Sequence, residues 1–242
     1  MWTLYRKEIL GFLSSITGWV VIGIFLTVTG LFLWVLPSGL NIPDSGYANL
    51  NGLFSLAPFV FLFLVPAVTM NSLAEEKRSG TLELLLIRPL SDTKIITAKY
   101  LAAFTLVVLS LLPTLIYYFS VYRLGYPVGD IDTGGFWGSF IGLLFLGAAF
   151  VAMGIFASSL TNNPIVAFLI AVVLSAFIYM GFDFISSFFG GATLLVQSFG
   201  ISAHYASMSR GVIDSRDVIY FLSLILFFLY LSVSFLGRRK WK

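Results

Sequence analysis

Chemistry needs groups that ionise, coordinate or attack, and in this chain they are few and unevenly placed. Of 25 charged side chains (14 basic and 11 acidic), nine fall between Ala74 and Lys99, in AEEKRSGTLELLLIRPLSDTKIITAK. There is no cysteine and a single histidine, His204, so thiolate nucleophiles, disulfides and multi-histidine metal centres are excluded. No Gly-Lys dipeptide occurs, so the chain lacks the G-x-x-x-x-G-K-[ST] phosphate loop and is not expected to bind or hydrolyse ATP itself. His204 has no G-x-S-x-G to work with, and beside Tyr205 it reads as an interfacial or capping residue before it reads as a catalytic base. No catalytic residue, metal or cofactor is expected in this chain.

The charged stretch is more than a solvated loop. EEKRSG is polar, but TLELLLIRP sets Leu82, Leu84, Leu85, Leu86 and Ile87 around Glu83 before Pro89 ends any helix. Leu82, Leu85 and Leu86 share one helical face. A short amphipathic helix with a defined stop lies along a membrane surface or docks in a partner's groove, and both readings stay open on spacing alone.

The elements that must position this hub are membrane helices. A chain that is 59% hydrophobic and 10% charged is too apolar for a soluble domain, in which about a quarter of residues carry charge. The pattern is that of an all-α integral membrane protein, one transmembrane domain over residues 1–242, with six spans at about 15–36, 53–71, 100–122, 136–160, 165–183 and 218–236. If both ends lie inside, inner segments hold 11 Lys and Arg and outer segments only Arg123, Arg210 and Arg216, which fits one orientation and contradicts its mirror. Basic residues that flank apolar runs orient a membrane protein, so the charge of +3 does not point to nucleic acid.

Along the chain, MWTLYRKEILGFLS reads as an interfacial amphipathic helix, with Arg6, Lys7 and Glu8 opposite its apolar face. The apolar run that follows is too long for a signal peptide and lacks a small-x-small cleavage site. Trp19 and Trp34 fall near the two ends of the first span. Pro58 and Pro66 predict a kink in the second, either a hinge or a static bend. Ser91 is placed to cap the third-span helix. Gly134, Gly138 and Gly142 at four-residue spacing permit close approach in the fourth. Asp183 is either an intramembrane proton or ion site or an interfacial carboxylate. From Phe184 to Asp217, half-inserted helices broken at Gly190 and Gly191 suit the composition better than an extended loop. The near absence of charge from the spans argues against an ion-coupled transporter.

Two segments resemble a known family. EEKRSGTLELLLIRPLS, Glu75 to Ser91, resembles the E-x-x-x-G-T-L-E-x-L-L-x-x-P motif of six-span ABC exporter permeases, the class that includes polysaccharide and drug exporters. SMSRGVIDSRDVIYFLSL, Ser207 to Leu224, is similar to the F-x-R-G-x-[IV]-D-x-[RK]-D segment before their last span, with Met208 where an aromatic is usual. Length, the first motif and the PSGLNIPDSGYANLNGLF loop look most like the gliding-motility-associated permeases. The resemblance implies a multi-pass protein of the bacterial cytoplasmic membrane, driven by cytoplasmic ATPase subunits and paired, amid lipid, with a second permease copy or a paralogue. Carried over, Glu75, Gly80, Thr81, Leu82, Glu83, Leu85 and Pro89 form the coupling helix seated on the ATPase, and Arg210, Gly211, Asp214 and Asp217 form the outer motif. The alternative is an anchor that recruits a cytoplasmic ATPase to a motility or secretion machine without transport. The substrate is not legible.

Overall fold

Backbone in hydrocarbon has to close its own hydrogen bonds, and the chain does so with helices. The computed structural model describes residues 1–81, 91–188 and 193–237, and every regular element among them is a helix. α1 is Trp2–Leu13. α2, Ile16–Gly30, continues through a π-helical turn at Leu31–Val35, and a short α3, Ile42–Ser45, follows. Next come α4, Asn51–Thr69, and α5, Asn71–Arg78. α6, Asp92–Leu111, passes through a 3-10 turn at Leu112–Thr114 into α7, Leu115–Leu124. α8 is Thr133–Leu160. α9, Pro164–Ala176, runs through a second π-helical turn into α10, Phe182–Ser186. α11, Thr193–Gln197, and α12, Ile201–Met208, precede α13, Ser215–Gly237.

Six of these units are long and apolar enough to cross a membrane: α2 with its π turn, α4 with α5, α6 with α7, α8, α9 with α10, and α13. α8 is the hub of the packing, touching α4, α6, α9 and α13. In its apolar window 78% of residues are buried, against 22% in those of α9–α10 and of α13, so these last two lie at the periphery. Small residues let α8 take the centre. A Cβ on Gly147 would meet Val107 at 2.8 Å, and one on Gly154 would meet Thr69 Oγ1 at 2.0 Å.

The prolines of the second and third spans sit differently in their helices. Pro58 and Pro66 are both buried inside α4, which runs unbroken to Thr69, and the break comes at Met70. The third span is interrupted at Pro113, which has no N–H for the ladder and tightens the chain into a 3-10 turn. Ser91 does occupy the N-cap position of α6, but its hydroxyl pairs with Thr93 Oγ1 (2.9 Å) instead of capping a backbone N–H.

α1 forms as expected, and only the placing of Glu8 on it is corrected. It docks on α6 by burying Leu4 against Ile95 and Ala98, with Tyr5 OH 2.9 Å from Thr105 Oγ1. This turns Glu8 toward α6 and not to the solvent side shared with Arg6 and Lys7, while Trp2 stays exposed. Gly190 and Gly191, the expected break points of the outer segment, lie outside the described residues; on either side of them α10, α11 and α12 are short helices packed at the end of the bundle opposite α5.

Candidate functional site

The hub begins inside the bundle. Ser72, Leu73 and Ala74 of α5 are buried against α8, and exposure starts within the next turn. Glu75 reaches Arg78 one turn on (3.4 Å), both partly solvated, a pair worth little by itself. Gly80 has φ +71°, a left-handed backbone that glycine adopts without cost, with open space where a Cβ would stand. Thr81 follows, its hydroxyl 2.9 Å from Ser79 Oγ. Glu75, Gly80 and Thr81 are thus brought together at the exit of α5. Leu82, Glu83, Leu85 and Pro89 lie outside the described residues.

The strongest charge geometry was not legible in the sequence. Lys99, which reads as an inner-loop cation, is a fully enclosed residue of α6, its side chain 1% exposed. Its Nζ donates to Glu76 Oε1 at 2.8 Å and Glu8 Oε1 at 3.1 Å, each carboxylate side chain 15% exposed. One ammonium thereby ties α1, α5 and α6 together next to the hub. Glu76 Oε2 is buried with no hydrogen-bond partner among the described residues. A cavity of about 320 Å3 adjoins, bounded by Lys7, Glu8, Ser15, Asn71 and Glu76. Lys77, next along α5, donates from Nζ to the carbonyl of Ser159 at the end of α8.

At the opposite end, the outer motif separates into distinct roles. Arg210 is exposed and its Nε donates to Ala206 O (3.0 Å). Gly211 has φ +85°, and a Cβ there would come 2.4 Å from Gly135 Cα, so only glycine lets this turn lie on the start of α8. Asp214 Oδ1 accepts from Arg216 N (2.9 Å) ahead of α13. Asp217, in the first turn of α13, is buried and 2.7 Å from His204 Nδ1. His204 Nε2 is 2.9 Å from Ser198 O, a pure acceptor, so that nitrogen carries a proton. The imidazole also stacks on Tyr220, with centroids 3.9 Å apart. His204 is therefore a joint between α11, α12 and α13.

Asp183 accepts from Ser202 Oγ at 2.5 Å, fastening α10 to α12. Tyr205 OH donates to Phe54 O at 2.7 Å, and burial, with Tyr179 adding to it, pushes its phenol well above the usual tyrosine range. The Gly stripe of α8 meets this outer segment and not another span: Gly138 faces the Gly211 carbonyl (2.4 Å from an added Cβ) and Gly142 faces Met208 (2.6 Å). Gly134 makes no such approach.

The bundle offers a hub where α5 emerges at one end, with the Lys99 junction enclosed beside it, and a fastened outer cap at the other. A comparison with curated proteins returns no match. The family model described as ABC-2 family transporter protein matches residues 38–237, which takes in five of the six spans, the hub and the outer motif. The chain belongs to the ABC-2 transporter family, as a multi-pass permease subunit of the bacterial inner membrane whose ATPase partners are separate cytoplasmic subunits.

Proposed function

We propose that this permease is an exporter subunit and that the segment from Glu75 to Pro89 is where its ATPase engages. The observation that carries the reading is the exit of α5. A helix buried through Ala74 becomes solvated within one turn and delivers the chain, at the left-handed Gly80, to the leucine-faced TLELLLIRP. Leu82 and Leu85 supply apolar anchors, Glu75 and Glu83 pair with basic groups on the partner, and Pro89 ends the element. Closure of the ATPase on this lever moves the two spans that it joins.

Export follows the resemblance of this motif to exporter permeases, and a role in gliding motility or secretion follows the resemblance of the length, this motif and the PSGLNIPDSGYANLNGLF loop to gliding-motility-associated permeases. A second permease copy or paralogue completes the pathway. Its surface is sought on α2 and α9, whose exposed apolar side chains border a groove of about 450 Å3 lined by Val21, Ile24, Phe59, Phe63 and Phe168.

The test is co-purification of the ATPase with the permease and ATP turnover by the complex. Glu83→Gln and Leu85→Ala are expected to weaken ATPase retention or change turnover at least severalfold. An ATPase indifferent to both substitutions overturns the coupling reading. ATP-dependent accumulation of labelled cell-extract solutes in inside-out vesicles separates an exporter from an anchor that only recruits the ATPase.

A further inference from the structure

α4 and α5 are separated by a break for which the local sequence provides no cap. The first N–H groups of a helix lack partners in their own helix, and a Ser, Thr, Asp or Asn just before them usually satisfies one. Here the residue in that position is Met70, which cannot. The partner comes from another span. Ser158 Oγ, on α8, accepts from Leu73 N and Ala74 N at 3.0 Å each and donates to Met70 O at 2.9 Å. All three contacts are made by one hydroxyl in a residue with no exposure, so water cannot replace it. Ser158 caps α5 in trans and holds the last carbonyl of the bend.

The neighbours of Ser158 reinforce the seat. Gly154, one turn earlier on the same face of α8, lies against Thr69, the last residue of α4. Ser159 receives Lys77 through its carbonyl. Residues 154, 158 and 159 therefore grip α4, the bend and α5 in succession.

We infer that Ser158 is a positioning residue through which displacement of the hub passes into α8. The inference rests on the coupling reading above and extends it, because that reading moves only the two spans joined by the hub. Within a grip of this kind, α5 cannot tilt without either dragging the hub end of α8 or breaking three buried hydrogen bonds. Unpaired buried backbone groups make the second route costly.

Hydrogen exchange on the permease–ATPase complex, without nucleotide and with ATP plus vanadate, tests it. In the wild type, nucleotide is expected to change exchange in residues 71–81 and in 150–160 together. Ser158→Ala is expected to keep the response of 71–81, to lose that of 150–160, and to speed exchange at Leu73 and Ala74 roughly tenfold or more. Ser158→Thr, which keeps the hydroxyl, is expected to restore the α8 response. If Ser158→Ala does not assemble, Ser158→Cys, of similar volume with a much weaker hydrogen-bonding atom, is read in its place. A response of 150–160 that survives the loss of the hydroxyl overturns the inference while leaving the hub reading intact. Equal loss in the Ala and Thr variants overturns it as well, in favour of packing. A wild-type hub that ignores nucleotide sinks the hub reading and this inference with it.

Discussion

Replacing Lys99 by methionine tests the buried charge junction most sharply. The substitution keeps most of the side chain's volume and deletes its ammonium. At 2.8 and 3.1 Å, and with an effective dielectric of about 20, each carboxylate gains roughly 5–6 kcal/mol of Coulomb attraction from Lys99. Desolvation of three charged groups returns most of that, so the intact junction stabilises little relative to an apolar one. Removing only the cation is different, because it leaves Glu8 and Glu76, both largely enclosed, facing one site with no counter-charge. That costs about 3–5 kcal/mol, a hundredfold or more in the folding equilibrium. The triple variant Glu8→Gln, Glu76→Gln, Lys99→Met removes all the charge and is expected to recover most of the loss. Denaturant unfolding in detergent, followed by tryptophan fluorescence, reads both variants. A Lys99→Met protein within about 0.5 kcal/mol of the wild type, or a triple variant less stable than the single, refutes the reasoning.

The far end has its own tests. Gly211→Ala forces a side chain into left-handed backbone against Gly135 and is expected to destabilise by about 2 kcal/mol or more, seen as a lower unfolding midpoint. His204→Gln and Asp217→Asn are each expected to raise hydrogen exchange across residues 193–208. Because the two groups form one joint, their effects combine in a double-mutant cycle with a coupling above about 0.5 kcal/mol, and simple additivity would dissolve the joint.

The spans were legible because hydrocarbon imposes one rule: Ser15 to Leu36 without a charge can only be a crossing helix. The left-handed turns at Gly80 and Gly211 stand at glycines inside the two quoted motifs, where only that residue suits the backbone. What stayed hidden were contacts across long sequence separation. Lys99 sits where an interfacial lysine would, and only packing shows that Glu8, far away in sequence, and Glu76 close over it. Ser158 is one serine in an ordinary ASSL run; no local pattern marks it as the cap of a helix ending on another span. His204 and Asp217 lie on different helices with the Gly211 turn between them, so spacing could not pair them. The α4 prolines did not mark the break in the ladder: α4 continues as helix past Pro58 and Pro66, and the interruption falls at Met70, where α8 inserts a hydroxyl.

The two ends of α8 are fastened by interactions of different stiffness, and this bears on how it can move. Near Gly138 and Gly142 its backbone lies against Gly211 and Met208 at separations that leave no room for a methyl group, and close-packed contacts of this kind resist displacement in any direction. Near Ser158 the grip is polar: a hydroxyl holding three backbone groups, and a lysine on a flexible stem reaching a carbonyl. Hydrogen bonds constrain direction but tolerate small rotations, and a lysine stem follows a moving partner. A helix clamped by contact at one end and tethered by polar groups at the other tilts about the clamp. On the proposed coupling, a push from the hub would therefore reach α8 as a swing of its Ser158 end, largest beside α5 and vanishing toward the outer cap, which His204 and Asp183 keep fastened to α13 and α10.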